Sequence, residues 1–320
     1  MRRVSLHLFL ATLVSLPVWG QEVAQQKLQD AFLLSEQGQY AEVIELIKPL
    51  TSTASLSEPD LGQAWLLLAM AYHQEGQYQE AITAYEQSLQ NTGTDLKYAS
   101  QYAAALHSFA ILYRDMGDAE TARKMLVKAL SVFSEINDHA GVSGVCRSLA
   151  DVALSQKRTS EARGYLQRAF EASKDANGLN DDSFAALFST QGWLNEADKD
   201  YSAAELDYQH ALTLWKHLHG EQHFIVGWGY MLLGKSNAEA GDARDALDNM
   251  RAGLGILEKT AGSTNIKFLE GELAYAAVLN ASGERAKARE LKKAAEETLR
   301  DLYRSQCIQC RISAAALSLR

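Results

Sequence analysis

Three glycines, Gly178, Gly220 and Gly262, stand 42 residues apart, and the alanines Ala204, Ala246 and Ala288 keep the same interval. Three residues beyond each glycine comes Asp181, His223 or Asn265. A single helical hairpin cannot bury its own apolar face. Copies at a fixed period stack and share a continuous core, so this comb predicts a solenoid. A chain of 320 residues folded around single centres would divide into about two globular domains, whereas a repeat array grows by addition.

Only three prolines occur, which permits long uninterrupted helices, and apolar residues recur at helical spacing. The clearest unit runs from Leu61 to Leu89. Trp65, Leu68, Ala69 and Tyr72 share one helical face, Gln74-Glu75-Gly76-Gln77 makes a turn, and Ala81, Ile82, Tyr85 and Leu89 form the next apolar face. Gly76 ends the first helix at low steric cost, the small Ala69 and Ala81 let the helices approach, and Trp65 and Tyr85 fill the remaining volume.

Trp65, Leu68, Ala69, Tyr72, Gly76, Tyr78, Ala81, Ile82 and Tyr85 resemble the tetratricopeptide repeat consensus. The family's proline after the second helix is absent; Gly93 stands near its place. Seven such units fit the chain in register. Their first-helix small residues are Ala31, Ala69, Ala110, Ala150, Gly192, Gly234 and Ala276, and their turns centre on Gly38, Gly76, Gly117, Lys157, Lys199, Gly241 and Gly283. The matching second-helix positions are Val43, Ala81, Ala122, Ala162, Ala204, Ala246 and Ala288. The expected fold is all-α: a right-handed superhelix of about seven helix-turn-helix pairs. The 42-residue spacing exceeds the family's usual period of about 34, so helices or connectors are longer. Gly220-Glu221-Gln222-His223 is similar to the Gly-x-x-His-Pro of the kinesin-light-chain subclass, with Phe224 in place of the proline. Ser57 with Pro59, Asp181 or Asp182, and Asn265 are expected helix starts; His223 is expected to cap less well.

The first twenty residues read as a secretory leader: Arg2 and Arg3, an apolar run from Val4 to Val18, and small residues before a cut after Gly20. An uncleaved amino-terminal anchor is the alternative. The division expected is a leader over 1–20, a degenerate first pair with its linker over 21–58, a repeat array over 59–303 and a tail over 304–320. The mature chain would carry 29 basic and 40 acidic residues, a net charge of −11, which disfavours nucleic acid and anionic membranes as partners. Export makes disulfides permissible. Cys307-x-x-Cys310 is read as a tail disulfide, with unpaired thiols or a redox pair as alternatives, and Cys146 as core.

Four of the eight histidines, His210, His217, His219 and His223, crowd one window with Glu221. His217 and His219 point to different helix faces, and no bound metal or other cofactor is expected. Nucleophile-elbow, phosphate-loop, zincin and dinucleotide motifs are absent from the sequence, so the chain is not expected to be an enzyme. The resemblance implies that first helices line a concave wall. One helical face away from the core positions stand His73, His107, Arg114, Arg147, Asp151, Ser189, Trp193, Glu196, Trp228 and Lys235, with Met70, Ile111 and Met231 expected to favour inter-repeat packing. Aromatic and arginine residues suit a groove that grips a peptide or partner helix. The expected function is a protein-interaction scaffold. A ligand sensor or enzyme with a site in the superhelix interior, and a homo-oligomer joined through its end repeats, are the other readings.

Overall fold

A computed structural model describes residues 16–52, 56–93, 96–176 and 181–306. The described residues form fourteen α-helices in seven antiparallel pairs and no strands. The pairs are α1 (Leu16–Glu36) with α2 (Tyr40–Ile47), α3 (Glu58–Gln74) with α4 (Tyr78–Thr92), and α5 (Ala99–Asp115) with α6 (Ala119–Glu135). They continue as α7 (His139–Ser155) with α8 (Thr159–Asp175), α9 (Asp181–Ala197) with α10 (Tyr201–His219), α11 (Phe224–Ala240) with α12 (Ala243–Ala261), and α13 (Ile266–Ala281) with α14 (Arg285–Gln306). Each helix packs on its partner and on the next pair, which makes the chain an α-solenoid. The expected leader lies outside the described residues as far as residue 15, and α1 runs through Gly20.

The small residues sit where the period places them. Ala31, Ala69, Ala110, Ala150 and Ala276 on the first helices are buried, as are Gly192 and Gly234. The second-helix counterparts from Val43 to Ala288 are buried too. Large side chains fill the space these leave: Tyr85 of α4 stacks on Phe109 of α5 at 5.0 Å, and Tyr113 follows at 4.9 Å.

All seven turn centres adopt positive φ, including Lys157 at 60° and Lys199 at 64°, where a side chain bears the steric cost glycine avoids. In three of these turns the next residue is an aspartate that caps the second helix: Asp118 accepts from Thr121 N, Asp200 from Ala203 N and Asp242 from Asp245 N, at 3.0–3.2 Å. Each such cap stabilises its helix by about 1 kcal/mol. Between pairs, Gly220 (φ 80°, ψ 163°) and Gly262 (φ 83°, ψ 159°) end α10 and α12 in near-identical conformations. Asn265 then caps α13 at 2.8 Å, and His223 caps α11 through its ring Nδ1 at the longer distance of 3.3 Å. Gly178 lies outside the described residues. The longer period has a direct source: α10 and α12 each have 19 residues, against 15 in α4 and 17 in α6 and α8.

The array turns back on itself. A Cβ placed on Gly38, in the turn of the first pair, would stand 3.8 Å from His223 Nε2 at the start of the sixth. Tyr78, the first residue of α4 in the second pair, packs against the apolar cluster of α11 to α14. The first two pairs therefore approach the sixth and seventh across a seam.

Candidate functional site

The odd-numbered helices pack on one another from pair to pair as one wall, and a polar or cationic contact ties each junction from the second pair to the seventh. His73 Nε2 lies 3.2 Å from Asp115 Oδ2, joining α3 to α5. His107 Nε2 lies 2.8 Å from Ser148 Oγ, and Arg114 donates to Asp151 at 3.2 Å, joining α5 to α7. Thr190 donates to Asp151 at 2.8 Å, joining α7 to α9. Lys235 donates to Glu196 at 3.2 Å, joining α9 to α11. Lys267 of α13 sits 5.3 Å from the Trp228 ring centre, joining α11 to α13.

Asp151 is the hub. Its carboxylate accepts from Arg114, Arg147 and Thr190, and its side chain is only 10% exposed. Burial disfavours the charge on Asp115, but Arg114, Lys267 and the hydrogen bond from His73 outweigh it and hold that carboxyl well below the usual range. Burial keeps His107 neutral, and Arg147 and Arg114 reinforce this, bringing its pKa down to about 3. Glu196, 7% exposed, is pushed up by burial against the opposing pull of Lys235, and its Oε1 has no hydrogen-bond partner.

The folded His107 takes up a proton only near pH 3, whereas an unfolded one does so near 6.5. Stability should therefore fall as pH drops below about 6.5, by about 2 kcal/mol between pH 6.5 and 4.5. Urea midpoints across that range should decline for the native chain and flatten for His107→Gln. Equal slopes in both proteins would refute the assignment.

The apolar members of the wall remain more open. Met70 is 37% exposed, and Ile111, Trp193 and Trp228 are half-buried, as is Ser189. Met231 is buried between pairs, as expected of a packing residue, whereas Met70 is not. The pairing partners Asp115, Ser148, Thr190 and Lys267 escaped the sequence reading. Their signal was there: complementary side chains one repeat apart, 37 to 42 residues, as in Arg114 with Asp151 and His73 with Asp115.

In the histidine window, His219 stacks on His223 at 4.5 Å and its Nε2 lies 3.1 Å from Asp182 Oδ1. Among the described residues, no three His, Cys, Asp or Glu side chains are grouped as a metal ion requires. Cys307 and Cys310 lie outside the described residues. Cys146 is buried in the core, and burial raises its thiol pKa to about 11. No described helix is long and apolar enough to cross a membrane.

Residues 60–135 and 101–175 match the tetratricopeptide repeat family model. A clustered mitochondria protein homolog of Aedes aegypti is 27% identical over 170 residues, which cover 52% of this chain and 12% of that protein. The chain thus spans only a small part of the curated relatives it matches. Among solved structures, a Rap conjugation gene regulator encoded on a plasmid, in complex with a Phr peptide, superposes with a TM-score of 0.69 at 12% identity. That match covers 98% of this chain and 82% of the other. The apo form of RapI gives 0.60 at 12% identity, covering 88% and 99%. These likenesses are of fold. Residues 60–175 carry tetratricopeptide repeats, set within a longer α-solenoid of seven helix pairs.

Proposed function

We propose that this protein is an exported, non-catalytic scaffold that grips an extended peptide or a partner helix against its inner wall. The observation that carries the reading is the division of labour on that wall. Its ions are paired with one another, while Met70, Ile111, Trp193 and Trp228 remain partly open beside them. Apolar and aromatic anchors flanked by fixed polar groups are what a peptide-binding groove uses for affinity. Arg114 and Arg147 then hold the wall in shape rather than touch the partner. A solved structure of similar fold, at 12% identity, is a complex with a peptide, which supports the reading by analogy. The later pairs resemble the long-repeat subclass of kinesin light chains in their Gly220 to His223 connector. Export rests on the leader-like residues 1–20, and an amino terminus at Gln21 in the periplasmic or secreted fraction would support it.

Peptides selected from a displayed library on residues 21–320 provide the test. Met70→Ala combined with Trp193→Ala should weaken the selected peptides at least tenfold, about 1.4 kcal/mol. Leu206→Ala, on the exposed face of α10, should leave them unchanged. Circular dichroism melting of each variant separates lost binding from lost folding. Unchanged affinity in the double variant, with its helices intact, would sink the proposal.

A further inference from the structure

We propose that the contact between the Gly38 turn and His223 is a proton-sensitive latch, holding the superhelix closed at neutral pH and releasing it on acidification. The inference does not depend on what the groove binds. His223 Nδ1 accepts a hydrogen bond from Ile225 N at 3.3 Å, so the ring is neutral and its proton sits on Nε2. That Nε2 is buried, has no hydrogen-bond partner, and faces the Gly38 turn across the seam. The turn supplies no charge, since Gln37, Gly38 and Gln39 are neutral; the carboxylates flanking it in sequence are Glu36 and Glu42. From α10, His219 stacks on the ring at 4.5 Å and 19°, and from α9, Asp182 reaches the His219 Nε2 at 3.1 Å. The neighbouring seam contact is made by Tyr78, with His73 at 5.9 Å in edge geometry and Lys267 within electrostatic reach.

A second proton can enter His223 only at Nδ1. There it removes the acceptor that caps α11 and puts charge on a half-buried ring beside another imidazole. Burial and His219 oppose that charge, Asp182 favours it, and the net effect is a pKa below the ordinary histidine value. In an opened superhelix the ring edge that faces the Gly38 turn would be solvated, which relieves part of the burial and raises the pKa towards the ordinary histidine value. The open form then binds more protons on acidification, so closure weakens as the pH falls. The equivalent position one repeat on is Asn265, whose side chain caps α13 at 2.8 Å without titrating. His223→Asn therefore keeps a cap and removes the proton site.

The test is a distance measurement between spin labels at Glu45→Cys on α2 and Thr213→Cys on α10, both exposed positions. The full chain carries Cys307→Ser and Cys310→Ser, and Cys146 is left in place because it is buried. With His223 present, the fraction of longer distances should rise at least fivefold between pH 7.5 and 5.5, with unchanged far-ultraviolet circular dichroism. With His223→Asn, the distribution should be the same at both pH values, whether short or long. An unchanged distribution in the His223 chain, the same lengthening in His223→Asn, or lengthening accompanied by loss of helix would each overturn the latch.

Discussion

Asp151→Ala is expected to destabilise the array by about 3–5 kcal/mol, the usual cost of removing one partner from a buried ionic cluster. Three donors converge on this carboxylate from α5, α7 and α9: Arg114 at 3.2 Å, Arg147 at 2.9 Å and Thr190 at 2.8 Å. Without it, Arg147 loses its ionic partner and Arg114, still held by Asp115 at 2.9 Å, faces a second guanidinium with one carboxylate fewer between them. Asp151→Asn should cost less, because an amide oxygen can still accept from Thr190 while the repulsion between Arg114 and Arg147 remains. In a solenoid each repeat leans on its neighbours, so the loss should appear first at the junction of the third, fourth and fifth pairs. Hydrogen exchange should rise in α5, α7 and α9 before it rises in α1 or α13. A urea midpoint for Asp151→Ala equal to that of the native chain would show that the ladder contributes nothing to stability.

The fold was legible in the sequence to the level of individual turns, because a repeat states its rules several times over. Lys157 and Lys199 show how far that reaches. Neither residue favours the left-handed conformation, yet the register set by Gly76, Gly117 and Gly241 placed both at turn centres, and both adopt it there. The inner wall was legible only in part. Helical spacing located Arg114, Asp151, Glu196 and Lys235 on the same face, which is a property of one helix. Whether they face a partner or each other depends on how far each pair rotates on the last, which no single residue encodes. The seam lies further still from the sequence. Gly38 meets His223 only because small rotations accumulate over five pairs, so nothing local to either residue announces the contact. His223 itself carried two signals, a place in the 42-residue comb and a place in a histidine cluster. The first was the informative one, since the ring caps α11 and faces the Gly38 turn.

The glycines of α11 and α12 make the second large prediction, in two directions. Gly234→Ala should destabilise by about 1–3 kcal/mol, the range for overfilling a packed interface. Its Cβ would stand 2.6 Å from Met250 Cγ, 3.0 Å from the Ala246 carbonyl oxygen and 3.1 Å from Met250 N. Met250 can move its side chain, but two of the three atoms are backbone of α12, so the helices themselves must part. Gly255→Ala, on the exposed face of α12 with nothing within 4 Å of the new methyl, should instead stabilise by about 0.5–1 kcal/mol through helix propensity. Parallel urea titrations of the two variants separate a packing role from mere tolerance of glycine. If Gly234→Ala matches the native chain or exceeds it, the close approach of α11 and α12 is not required. If it weakens the chain as expected, the consequence reaches the inner wall. α11 carries Trp228 and Lys235, and displacing it strains the 3.2 Å bond from Lys235 to Glu196. The same substitution should therefore loosen α9 as well as α11 in hydrogen exchange, whereas Gly255→Ala should loosen neither.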